Sequence, residues 1–90
     1  MNTHDIIAEG LAKELGLKST KINLPYWTYR WTTPNNTYLF TKIQNGQFII
    51  SDWKGYRGKK YDLADPNLLN QLQNELIKIH NETPNHLKNK

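Results

Sequence analysis

Asn45-Gly46 constrains this chain more than any other pair of residues. It stands between two runs rich in strand formers, 37–43 and 47–53. Such a pair favours a two-residue type I′ hairpin, because both central residues must take positive φ. The turn sets a register. Gln44 faces Gln47, Ile43 faces Phe48, Thr41 faces Ile50 and Leu39 faces Asp52. The opposite face pairs Lys42 with Ile49, Phe40 with Ser51 and Tyr38 with Trp53.

A third strand precedes this hairpin. Trp27, Tyr29 and Trp31 alternate with Thr28 and Arg30, and Thr32-Thr33-Pro34-Asn35-Asn36 reads as a turn. With Trp31 opposite Tyr38, one face shows Tyr26, Leu39, Ile43, Phe48 and Ile50. The other shows Trp27, Tyr29, Trp31, Tyr38, Phe40, Ile49 and Trp53. A slip of one residue in this pairing moves the odd-numbered aromatics across the sheet. Ile22 and Leu24 also alternate, but Pro25 confines them to an edge or to the approach to the strand. Residues 18–21 read as a polar link.

Helices flank the strands. Ile7, Leu11 and Leu15 recur every four residues, Ile6 widens the stripe, Thr3 suits an N-cap and Gly16 a C′ position. This predicts a helix over about 4–15. Asp65 suits a second N-cap, with Pro66 as first helical residue and an apolar stripe of Leu68, Leu69, Leu72, Leu76 and Ile79. Asn81 and Pro84 end it. The expected fold is α+β: an N-terminal helix, a three-stranded antiparallel meander and a C-terminal helix. It forms a single domain over 1–82, with 83–90 as a flexible polar tail. Both helices are expected on one sheet face. The other, also apolar, is left partly open as an interaction surface.

Charge is segregated. Residues 1–17 carry net −2, residues 18–61 net +7 and residues 62–90 net −1. All ten aromatic residues lie in the basic middle block. The chain has no cysteine, so disulfides and cysteine-built zinc sites are excluded. No apolar run is long enough for a membrane span, and the N-terminus lacks a signal-peptide pattern. The expectation is a cytoplasmic protein without membrane contact, cofactor or metal.

Chemistry-bearing motifs are few. Ser19 and Ser51 have no histidine nearby in sequence, and His4, His80 and His86 are scattered. An enzyme would need His80 and an acid such as Asp52 or Asp65 in one pocket. The stronger candidate is the basic loop that follows the hairpin. Lys54, Arg57, Lys59 and Lys60 interleave with Tyr56 and Tyr61, and Trp53 stands just before them. Cations neutralise phosphates and rings stack on unpaired bases. The plain alternative is a solvated loop whose tyrosines fold back onto the core. Arg30 lies on the same surface or pairs with Asp52. The aromatic strand face is the second candidate, with at least half its rings expected in the core.

The leading helix, Leu24-Pro25-Tyr26, the Asn-Gly hairpin and Ile50-Ser51-Asp52-Trp53-Lys54-Gly55 span roughly residues 5–63. This arrangement resembles a bacterial and phage domain family of unknown function. Members have a Thr-Pro-Phe strand and a Leu-Thr-Asp-Asp-Gly segment. Here Leu24 replaces the Thr, and Trp53-Lys54 replaces the second acid. The resemblance implies no activity. In size, Asn/Lys-rich composition and lack of a catalytic motif the chain is similar to accessory proteins of phages and mobile elements, including anti-CRISPR and other anti-defence inhibitors. That likeness implies a non-enzymatic protein in a bacterial host, sterically blocking a host nucleoprotein or nuclease through a basic aromatic surface. The alternative is a stand-alone DNA- or RNA-binding protein using the 53–61 loop. An open face or edge strand also allows a homodimer.

Overall fold

A computed structural model describes residues 2–56 and 58–84. The elements run α1 (Thr3–Glu14), β1 (Lys18–Lys21), β2 (Tyr29–Thr32), β3 (Tyr38–Gln44), β4 (Gln47–Ile50), β5 (Lys59–Asp62) and α2 (Leu68–Glu82). The class is α+β, as expected. The sheet is an antiparallel meander of five strands in the order β1-β2-β3-β4-β5, not three. The two extra strands are the edges. β1 is Lys-Ser-Thr-Lys, with no apolar residue to signal a buried face. β5 is Lys-Lys-Tyr-Asp, taken from the stretch that reads as a basic loop. Edge strands satisfy their backbone on one side only, so polar sequences suit them.

The Asn-Gly turn forms as expected. Asn45 and Gly46 have φ of 54° and 75°, and the β3–β4 register is the expected one from Gln44↔Gln47 to Thr41↔Ile50. The turn also anchors β5, because the Leu63 N–H donates to the Gly46 carbonyl at 3.0 Å. The β2–β3 pairing differs by one residue. Trp31 lies opposite Leu39 and Tyr29 opposite Thr41. Trp31 and Tyr29 therefore share a face with Leu39, Phe48 and Ile50, not with Tyr38 and Phe40. The cause is the turn after Thr32. Asn36 takes φ 65°, and Thr33 closes the loop through its own backbone and hydroxyl to Thr37.

Both helices cover this one face. Trp31, Leu39, Phe48 and Ile50 pack against Ala12 of α1 and against Leu68, Leu72 and Ile79 of α2. Trp31 and Leu72 are fully buried, each contributing about 2–3 kcal/mol of apolar burial. α1 is rotated from the expected stripe. Ala8 and Ala12 make the close approach, Leu11 and Leu15 are half-buried, and Ile6 is exposed. Small residues four apart let the helix lie near the sheet. Its N-cap is Asn2 rather than Thr3, with the Asn2 side chain accepting the Asp5 N–H at 2.8 Å. α2 starts after a separate turn. The Asp65 side chain accepts the Asn67 N–H at 2.8 Å, which places Pro66 before the helix. Thr83 is buried, its hydroxyl donating to the Ile79 carbonyl at 2.7 Å, so the expected tail does not begin there. The rest of that tail, 85–90, lies outside the described residues. No helix among the described residues is long and apolar enough to cross a membrane.

Two polar ties hold the helices to the sheet edges. Tyr29 donates its hydroxyl to Asp5, which also meets Lys21. The Tyr29 bond, more than Lys21, lowers the Asp5 pKa. Burial, then Asp5, pushes Tyr29 well above the usual tyrosine range. Tyr61 donates to Glu75 at 3.2 Å, and burial followed by Glu75 raises it to about 12. A raised folded-state pKa contributes stability below the unfolded value of 10, and that stability is lost as pH rises toward 12. We expect alkaline unfolding to set in above about pH 10 and to move upward in Tyr61→Phe. Circular dichroism with tyrosinate absorbance measures this, and an unchanged onset would remove Tyr61 as a contributor.

Two fully buried core groups, the Trp31 indole N–H and the Thr41 hydroxyl, have no hydrogen-bond partner among the described residues. Thr41 is fully buried and its hydroxyl makes no hydrogen bond. Thr41→Val keeps the shape and removes the unpaired hydroxyl. It should stabilise the fold by about 1 kcal/mol, raising the melting temperature by about 4 °C or more. A lower melting temperature would mean that the hydroxyl is satisfied in solution.

Candidate nucleic-acid interface

Strand side chains alternate between faces, and here the pleat sorts the cations. Lys21 and Lys59 point to the helix side and meet helix acids: Lys21 with Asp5 at 3.4 Å, Lys59 with Glu75 at 4.0 Å. The register places Lys18, Arg30, Lys42 and Lys60 on the outer side. None of these four makes an ion pair among the described residues. The nearby acids in sequence are engaged with backbone. Asp52 accepts the Lys54 and Tyr56 N–H groups, and Asp62 accepts that of Ala64.

The outer face was expected to lie partly open, but loops cover part of it. Two loops, 22–28 and 51–56, fold across it and meet. The Trp27 indole donates to the Gly55 carbonyl at 3.2 Å and stacks on Phe40. Gly55 takes φ 79° and lies against the Phe40 ring, which a Cβ there would reach at 3.1 Å. Trp27 and Ile49 are buried in this second, smaller cluster. Lys42 is drawn into it, with its Nζ 3.4 Å from the centre of the Tyr26 ring. A ring face compensates part of the desolvation of an ammonium group.

The three exposed aromatics are Tyr26, Tyr38 and Tyr56, and each has a cation beside it. Lys42 lies over Tyr26. Arg30 lies over Tyr38 at 4.5 Å, its Nε buried without a partner. Lys54 lies 5.9 Å from Tyr56 and 5.2 Å from Trp53. Tyr38, Phe40, Trp53 and Lys54 line a cleft of about 550 Å³, with Asn36 and Thr83 at its polar edge.

Of the residues singled out in the sequence, Arg30, Lys54, Tyr56 and Lys60 belong to this side, and Trp53 lines its cleft while packing on the core. Two do not belong. Lys59 and Tyr61 face α2 through Glu75, because β5 is a strand and sends alternate side chains to opposite sides. Arg57 lies outside the described residues. The expected Arg30–Asp52 pair is absent, since Asp52 serves the backbone of its own loop. Lys42 and Tyr26 were missed as site residues. The hairpin register already placed Lys42 beside Phe40, but nothing local signalled that the 22–28 loop would fold back onto it.

A second groove, about 530 Å³, runs between the helices and is lined by Leu15, Leu69, Leu76, Ile77 and His80. His80 shares it with Glu14, not with Asp52 or Asp65, and no ion pair or hydrogen bond links the two. No cluster of three or more metal-ligating side chains exists among the described residues. No family model, curated protein or solved structure matches the chain, so the phage-domain resemblance rests on its quoted residues.

Proposed function

We propose that this is a non-enzymatic protein that binds nucleic acid through the outer face of its sheet. One observation carries the reading: the cations facing the helices are neutralised by helix acids, whereas Lys18, Arg30, Lys42 and Lys60 have no acidic partner among the described residues. Unpaired cations on one face attract a polyanion, and binding gains from counterion release.

Labelled oligonucleotides titrated by fluorescence anisotropy at about 50 and about 200 mM salt test this. For about four phosphate contacts, affinity should fall about 50-fold on a single strand and about 150-fold on a duplex. No binding at the lower salt, or binding indifferent to salt, overturns the reading.

The exposed Leu69 and Ile77 beside the interhelical groove favour a second reading, a protein partner. Under it the chain is an anti-defence inhibitor that sterically blocks a host nucleoprotein. It would then bind the nucleoprotein but not the bare oligonucleotide.

A further inference from the structure

We infer that the cleft between Tyr38 and Trp53 takes an unpaired nucleobase, so that the ligand of the outer face is single-stranded rather than duplex nucleic acid. The inference rests on the nucleic-acid reading above. The cleft joins three properties that a base site needs. Its walls include the Tyr38 and Trp53 rings, which offer stacking surface to a base, while the third ring, Phe40, already has Trp27 stacked on it. Its volume, about 550 Å³, lies in the range of small-ligand pockets. Its rim is cationic: Lys54 lines it, and Arg30 lies over the Tyr38 ring.

A further observation agrees. Every exposed aromatic ring also lies beside a cation, which is the interleaving that single-strand binders use and that duplex binders do not need. A duplex keeps its bases stacked inside and would have to flip one out, at a cost of a few kcal/mol, to fill the cleft.

The test uses a labelled oligothymidylate of about twelve nucleotides and a mixed-sequence duplex of the same length. Each is titrated with the wild-type chain, Tyr38→Leu and Tyr38→Phe. Tyr38 is about half exposed, so these variants should fold, and circular dichroism checks that they do. The expected result is tighter binding of the single strand. Tyr38→Leu should lose about tenfold in affinity with an unchanged salt dependence, and Tyr38→Phe should keep it, because the ring stacks and the hydroxyl does not. Equal, salt-sensitive binding of both oligonucleotides with no effect of Tyr38→Leu would overturn this inference and leave the nucleic-acid reading standing. Binding of neither would overturn both.

Discussion

Gly58→Ala should cost the protein a large share of its stability and lower its melting temperature sharply. Gly58 crosses the end of β4 just before β5 begins. A Cβ there would lie 1.4 Å from the Ile50 carbonyl oxygen and 2.7 Å from the Ser51 Cα. Both are backbone atoms, so no rotamer change relieves the clash. β5 would have to leave β4, giving up four residue pairs and the cover that Tyr61 lends Phe48. We expect a loss of about 3–5 kcal/mol, set against the roughly 5–15 kcal/mol that a native domain has. Gly10→Ala is the control. It lies inside α1 with nothing within 4 Å of its Cβ position, and should stabilise by about 0.5–1 kcal/mol. Thermal melts by circular dichroism give both numbers. A Gly58→Ala melt matching the wild type would mean that β5 does not cross β4 as described.

Replacing Arg30, Lys54 and Lys60 together by Gln should reduce oligonucleotide affinity on the order of 10³-fold at low salt. These three side chains have no acidic partner among the described residues, so their loss orphans no acid there and the melting temperature should hold. Each charge-assisted contact is worth about 1.5 kcal/mol, and three together give that factor. The salt dependence should flatten as well, by about 0.7 in slope for each contact removed from a single strand. Lys42 is left in place because it is buried beneath Tyr26 and its removal would disturb the loop packing. A parallel triple change of Lys21, Lys59 and Lys78 removes the same charge from elsewhere. Equal losses from the two sets would mean that net charge, not the outer face, drives binding.

The legible and illegible parts of this chain divide by the range of the interactions involved. The Asn45-Gly46 turn and its register were readable because two adjacent residues determine the backbone there. The α2 stripe was readable because Leu68, Leu72 and Ile79 repeat at helical spacing. β1 and β5 were not, because edge strands are selected by the backbone of a neighbour and carry few apolar residues. The slip at Trp31 was foreseen as an alternative but could not be decided, since the longer 33–37 turn allows more than one register.

The same division holds at the candidate site. Sequence alone located a basic, aromatic middle block, and named Arg30, Lys54, Tyr56 and Lys60 within it. It could not separate Lys60 from Lys59, or Tyr56 from Tyr61. Neighbours along a chain are alike in composition, and only a strand's pleat sends them to opposite sides. Tyr26 and Lys42 are 16 positions apart and meet because the 22–28 loop folds back over β3. Local residue chemistry therefore determined which groups were available. The tertiary structure decided which of them share a face, because helix acids neutralise the cations of one face and, among the described residues, no acid reaches those of the other.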